Sequence, residues 1–521
     1  MSARRRREIR KPLPVRDWQA RRTRETDVIT GQFECDYQAL QQVLADCADL
    51  KSRVIHTASG RPVALFYFNG LVDETALADN IVRRIQDYAG QLTVQQLIQR
   101  VISAPDTKTE TNVDNIVRQL TDGSVAIIVE GLPTAILPNI SQYENRGIER
   151  TKSEDVIIGP HHSFGEDLAT NLALLRRHLS SGRLKIRFIE LGSLSRTKVA
   201  ILYLQGLCQE ELVGEVESRL TRIKIDYVPG AAYLTDFLED QPGALFPQIA
   251  VTEKPVRVTA ALSEGRVVVI AENDPSALIA PAFLPEALQA SEDYSERPVV
   301  GTFLRLVRLF SVTISVFLPG VWIALAAFHH GILPPTLFNS IVAGRQGVPL
   351  PSVLEAFLLL LAFDLIVEAS TRLPATVGQA VGIVGAIILG QSAVQASLVS
   401  PTMTIVAALS GLAGFTLPSP ILVGPVRIAK YLVIVPASIF GLFGVVWALI
   451  FLAIEAVSIR SFGYPLLFPV APFNLRGELD ILIKLPNYWL KARPALLAQQ
   501  DQRRMSEGLT PQPGKGTSNE D

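Results

Sequence analysis

Polar and apolar positions divide this 521-residue chain near Arg308. Before it, ionisable residues are dense and apolar residues come in short runs. From Leu309 to Ile459 ionisable residues are sparse and apolar runs approach twenty residues. The first part reads as alternating strands and helices, and the second as long apolar helices. A chain of this length exceeds one hydrophobic core, so at least two domains are expected.

The N-terminal part repeats itself. SGRPVALFYFNGLVDE, from Ser59 to Glu74, returns as SRTKVAILYLQGLCQE, from Ser195 to Glu210. At an offset of 136 the copies share Ser59/Ser195, Val63/Val199, Ala64/Ala200, Tyr67/Tyr203, Gly70/Gly206, Leu71/Leu207 and Glu74/Glu210. Each is a β-rich run broken by glycine before an acidic helix start, a strand–turn–helix unit. GSVAIIVEGLPTA from Gly123 pairs with GRVVVIAENDPSA from Gly265 at an offset of 142, so six residues separate the two registers. The shared positions include Gly123/Gly265, Glu130/Glu272 and Pro133/Pro275. Two related α/β subdomains follow, roughly 30–145 and 165–290, and a cleft between them is either a binding site or plain scaffold. Between the halves, Phe164 to Leu168 opens a helix that runs through Leu175 and ends on Arg176, Arg177 and His178, acid first and base last as the helix dipole favours.

A membrane span needs about 20 mostly apolar residues. Leu309–Phe328, Val377–Ala396, the shorter Met403–Leu417 and Tyr431–Ile454 are the four candidates. Arg305 and Arg308 precede the first, the positive-inside arrangement if the N-terminal part is cytoplasmic, and Arg460, Arg476, Lys484, Lys491 and Arg493 follow the last. Arg427 and Lys430 then fall on the outer side. Val353–Arg372 is apolar but carries Glu355, Asp364, Glu368 and Arg372. The last three are spaced by four and form one stripe, so this helix is expected to be interfacial or buried in the bundle.

The expected fold class is therefore an α/β soluble region of two related subdomains followed by an all-α multi-span membrane domain. Its parts are a basic tail 1–29, a first subdomain 30–145, a linker helix with a second subdomain 146–295, a membrane domain 300–475 of about four spans plus the charged interfacial helix 353–372, and a cytoplasmic C-terminal segment 476–521.

Candidate chemistry changes this picture little. The net charge of −1 names no partner. Nine arginines and Lys11 crowd residues 1–24, either as a solvated tail or as a contact with anionic membrane lipid. No apolar segment follows them in the manner of a signal peptide. Cys35, Cys47 and Cys208 lack metal or disulfide spacing, and His161-His162 point apart on any regular element. With no catalytic or phosphate-binding motif, no enzyme, cofactor, metal or nucleic-acid partner is expected. In Val377–Ala396 the residues Gly378, Gly382, Ala386 and Gly390 form a smooth helix-packing face, while Gln391 and Gln395 share another. The glutamines either line a watery pore or hydrogen-bond between helices. The acids have the same two readings. Glu368 suits pairing with Arg372, with Asp364 at an interface; alternatively Glu355, Asp364 or Glu368 forms part of a cation-attracting vestibule in a ring of subunits, which suits Glu355 better because no base lies within four positions of it.

Long motifs then carry a resemblance. RQGVPLPSVLEAF from Arg345, the run from Arg372 to Phe415, SFGYPLLFPVAPF from Ser461, GPHHSFGEDLATNLALLRRHL from Gly159, FPQIAVTEKP from Phe246 and EDYSERP from Glu292 resemble the A subunit of GerA-type spore germinant receptors across about residues 110–475. The resemblance implies a nutrient-sensing complex in the spore inner membrane, with a transporter-like B subunit and a lipoprotein C subunit. It implies a homo-oligomeric, ligand-gated cation channel, or alternatively a non-conducting scaffold that relays the signal. Two departures stand out. Ile158 and His162-Ser163 flank the Gly-Pro where the family has a basic residue and an acidic-Gly pair. Leu360 and Val367 replace a second Glu and an Arg, which thins the charge pattern of the acidic helix.

Overall fold

The computed structural model describes residues 28–90, 93–104, 106–141, 160, 162–372, 390–473, 481–494, 496–497 and 501–505. Gly378, Gly382, Ala386, Ile158, His161 and most of Val377–Ala396 lie outside the described residues, as do most of the basic tail and the end of the C-terminal segment.

The repeat is a duplicated sheet. In the first lobe, helix α1 (Phe33–Val43) precedes β1 (Leu50–His56) and β2 (Pro62–Phe68). A helical stretch 74–87 follows, then β3 (Asp106–Glu110), α2 (Val113–Thr121), β4 (Ala126–Val129) and β5 (Ala135–Asn139). The second lobe repeats this order with α3 (Leu168–His178), β6 (Leu184–Leu191), β7 (Thr197–Leu204), α4 (Glu210–Thr221), β8 (Ala250–Thr252), α5 (Pro255–Ser263), β9 (Val267–Ala271) and β10 (Ala277–Ala280). The strand orders, β1-β2-β4-β5-β3 and β6-β7-β9-β10-β8, are equivalent, and every described pairing within them is antiparallel. The helix expected to link the halves is α3, the counterpart of α1 and part of the second lobe.

Each sheet is covered on both faces. Ala64, Phe66 and Phe68 enter one apolar cluster and Val63 and Leu65 another, which is why β2 reads as a continuous apolar run rather than an alternating one. The glycines shared by the copies have a conformational cause. Gly70 and Gly206 sit at φ 79° and 78°, and Gly123 and Gly265 both at φ 87°, backbone states that L side chains resist. The last two end α2 and α5 by the same device. The amides of Gly123 and Gly265 reach the carbonyls of Leu120 and Leu262, and those of Ser124 and Arg266 reach Gln119 and Ala261.

The C-terminal region is helical. Helix α6 (Pro298–Ala327) leads to α7 (Pro335–Gly344), α8 (Ser352–Arg372), a helical segment 390–395, α9 (Pro401–Gly414), α10 (Val423–Phe440) and α11 (Leu442–Ser458). Pro298–Ala327 and Pro420–Phe440 are long and apolar enough to cross a membrane, and α9 and α11 are shorter apolar helices. The run Tyr431–Ile454, expected as one span, is two helices. Gly441 turns the chain at φ 64° and ψ −139°, where a Cβ would lie 2.6 Å from the His329 ring. The reversal is tight enough that a Cβ on Gly444 would collide with the Pro436 carbonyl. Helix α8 packs against α6 and α9; Glu355 and Asp364 find partners inside the bundle, while Glu368 and Arg372 pair on its surface. After α11 the hairpin β11 (Arg460–Ser461) and β12 (Tyr464–Pro465) returns to the second lobe.

Candidate functional site

Three joints tie the lobes and the helices together. The first joins the lobes. Asp49, just before β1, accepts two bonds from Arg176 of α3, from Nε at 2.8 Å and Nη2 at 2.7 Å, while Nη1 donates to the Leu184 carbonyl at 2.9 Å. The guanidinium also lies 4.2 Å from the centre of the Phe68 ring. Burial works against its charge, yet the Asp49 carboxylate holds it above the ordinary arginine value. Beside it Cys47 bridges to Ile186 on the edge of β6, and Lys185 Nζ donates to the Val43 carbonyl at 2.9 Å. Burial pushes the Lys185 amine down. The space expected as a cleft is filled here by these side chains.

The second joint connects the second lobe to the helices at both ends of the helical region. Asp293, fully buried, accepts from Arg305 Nε at 3.2 Å and from Arg308 Nη1 at 2.7 and 2.8 Å. Both arginines stand on α6 and read in sequence only as a flanking positive charge. At the other end Phe462 enters the second lobe's core under Arg219, 4.3 Å from its ring centre. Ser461 Oγ donates to the Gln248 carbonyl and accepts from the Ala282 amide, and Tyr464 donates to Gln209 at 3.0 Å.

The third joint lies among the helices. Asp364 of α8 accepts from Lys430 Nζ at 3.0 and 3.2 Å and from the Tyr431 hydroxyl at 2.6 Å, both on α10. Arg427 stands 3.9 Å from both Asp364 and Glu368, and Glu368 also pairs with Arg372 at 2.7 Å. The predicted pairing of Glu368 with Arg372 is therefore present. Lys430 was assigned by span counting to the outer side, but it is buried against Asp364. Acids and bases in apolar helices need each other, and here the acidic stripe of α8 meets the bases of α10.

Glu355 behaves differently from expectation. It is 1% exposed and accepts from the amide and hydroxyl of Ser400, each at 2.5 Å, with Arg345 at 3.9 Å. Ser400 caps α9, so Glu355 seats an anionic group at a helix N-terminus. A carboxylate so enclosed cannot face a vestibule. Gln391 and Gln395 are exposed on segment 390–395, and Gly390 approaches α9, where a Cβ would lie 3.8 Å from Thr404 Cγ2. Among the described residues no group of His, Cys, Asp and Glu is arranged to hold a metal ion.

A duplicated α/β region clasped to both ends of an apolar helical bundle defines the class. A family model for the Bacillus/Clostridium GerA spore germination protein matches residues 38–496. Spore germination protein KA of Bacillus subtilis (strain 168) is 33% identical, covering 88% of this chain and 85% of that protein. Spore germination protein GerLA of Bacillus cereus is 34% identical, covering 84% and 90%. The crystal structure of the N-terminal domain of the A subunit of the Bacillus megaterium spore germinant receptor GerK3 is 22% identical, with a TM-score of 0.40, and covers 50% of this chain and 99% of that one. The chain belongs to the GerA spore germination protein family.

Proposed function

We propose that this chain is the A subunit of a spore nutrient germinant receptor, and that copies of it form a ring whose helical regions enclose a cation path in the spore inner membrane. It would act with a transporter-like B subunit and a lipoprotein C subunit. The chain enters α6 from the second lobe and returns to that lobe after α11, so it crosses the bilayer an even number of times. The α/β region and the C-terminal segment then share one side, the cytoplasm.

The observation that carries the conducting reading is the exposure of Gln391 and Gln395 on a mostly apolar helical region. Amide side chains on such a surface need water or another polar partner, because hydrocarbon offers none. A ring that turns this face inward supplies it. A helix-packing role for Gly378, Gly382, Ala386 and Gly390 belongs to this proposal, and Gly390 is the one of the four within the described residues. One observation favours a non-conducting scaffold: Glu355, Asp364 and Glu368 all have partners within the chain, which leaves fewer charges to draw cations.

Reconstituting the full chain in ion-loaded vesicles separates the two. Conduction predicts an ion flux that changes when Gln391 and Gln395 become leucine while the oligomer stays intact. Ion-tight vesicles that still recruit a B-type subunit would support the scaffold.

A further inference from the structure

The duplication provides an internal comparison. In the first lobe residues 94–101 bury Leu97 and Val101, and in the second residues 232–238 bury Leu234 and Leu238 in the same pattern. In that register Tyr233 stands where the first lobe has Gln96, and Phe237 where it has Arg100. Tyr233 and Phe237 are 49% and 41% exposed, with ring centres 5.8 Å apart. The six-residue difference between the halves falls mainly just after them, in the loop 239–249 that leads to β8. Leu245 in that loop packs against the helical region's apolar cluster, which Val312, Leu417 and Leu442 also join. Asp240, at its start, accepts from the Gly463 amide of the hairpin that follows α11. The aromatic pair therefore comes just before, in sequence, the loop through which the second lobe meets the apolar helices.

We infer that Tyr233 and Phe237 dock into the lipid headgroup layer of the membrane that the helices enter. This rests on the membrane reading above. Tyrosine favours that layer because its ring is apolar while its hydroxyl can stay wet, and the neighbouring phenylalanine ring adds apolar area at the same level. The chemistry is not electrostatic. Asp236 is exposed beside the pair and Asp240 is paired with Arg219 at 2.6 Å, so the charge next to the rings is acidic. The docking sets the second lobe against the bilayer, whereas the first lobe has half-buried Gln96 and exposed Arg100 at these positions.

The test uses the full chain in phosphatidylcholine vesicles, with exposed Cys35 replaced by serine and Cys47 and Cys208 left buried. Phe237→Cys, Tyr233→Cys, Arg100→Cys and Ile314→Cys each carry a bimane label. Lipid spin-labelled at the headgroup is expected to quench positions 233 and 237 several-fold more than position 100, while aqueous iodide does the reverse, unchanged by added salt. Quenching of 237 by iodide to the extent seen at 100 overturns the proposal, as does shielding from both quenchers, which would mean that protein covers the pair. Ile314, exposed on α6, separates the two levels. If lipid labelled in the acyl chain quenches 314 while headgroup lipid leaves 237 unchanged, the docking alone fails. If 314 is unquenched, the membrane reading fails with it.

Discussion

Arg176 grips Asp49 with two nitrogens at 2.7 and 2.8 Å, and both side chains are buried. This pair joins the lobes across 127 residues of sequence. Removing one member strands the other charge in a dry joint. Asp49→Ala is expected to cost about 3–5 kcal/mol. Asp49→Leu with Arg176→Met should recover much of that, since replacing both charges removes the stranded one. Denaturant titration of the full chain, followed by proteolysis between the lobes, checks the order.

The shared glycines give a graded series. Gly123→Ala and Gly265→Ala meet a left-handed backbone, worth about 1–2 kcal/mol. They also meet a neighbour, Ser141 Cβ at 2.6 Å and the Leu207 carbonyl at 2.9 Å. Gly131→Ala, at φ 85° with nothing within 4 Å, should show the backbone cost alone. Thermal unfolding that ranks Gly131→Ala as costly as the other two would contradict the contact argument.

Burial pushes the Cys208 thiol from an ordinary 9.0 up to about 12. Its folded pKa is raised, so the unfolded chain loses this proton first. Below pH 9 both states keep the proton and the group has no effect. As pH rises from 9 towards 12 the unfolded thiol ionises, the folded one does not, and stability falls. Cys208→Ala should be the less pH-sensitive chain across that window, measured as the difference in melting temperature from the parent.

Among the helices, Lys430→Met leaves Asp364 with only the Tyr431 hydroxyl and the more distant Arg427. The expected loss is about 3 kcal/mol or more, partly restored by Asp364→Asn in the same chain. Heat inactivation of the detergent-solubilised protein reads both.

The duplicated lobes were legible because each copy repeats its apolar run, its glycine and its acidic helix start. The edge strand β3, DTKTE, was not, since it carries no apolar pattern and is held by its pairing with β5. The break at Gly441 was hidden because glycine is common in apolar helices, and only its φ and the nearby His329 mark the turn. Spacing announced the stripe and the Glu368–Arg372 pair, but Arg427 and Lys430, the partners on α10, lie more than fifty residues away and periodicity cannot reach them. For the same reason Glu355 read as free, while the amide it caps belongs to another helix.

The central claim is that copies of this chain surround an ion path lined by Gln391 and Gln395. An electron-microscopy structure of the assembled complex in lipid tests it most directly. The expected result is a ring with a continuous path and both glutamines facing it. A closed bundle, or a ring with both glutamines turned to lipid, would contradict it.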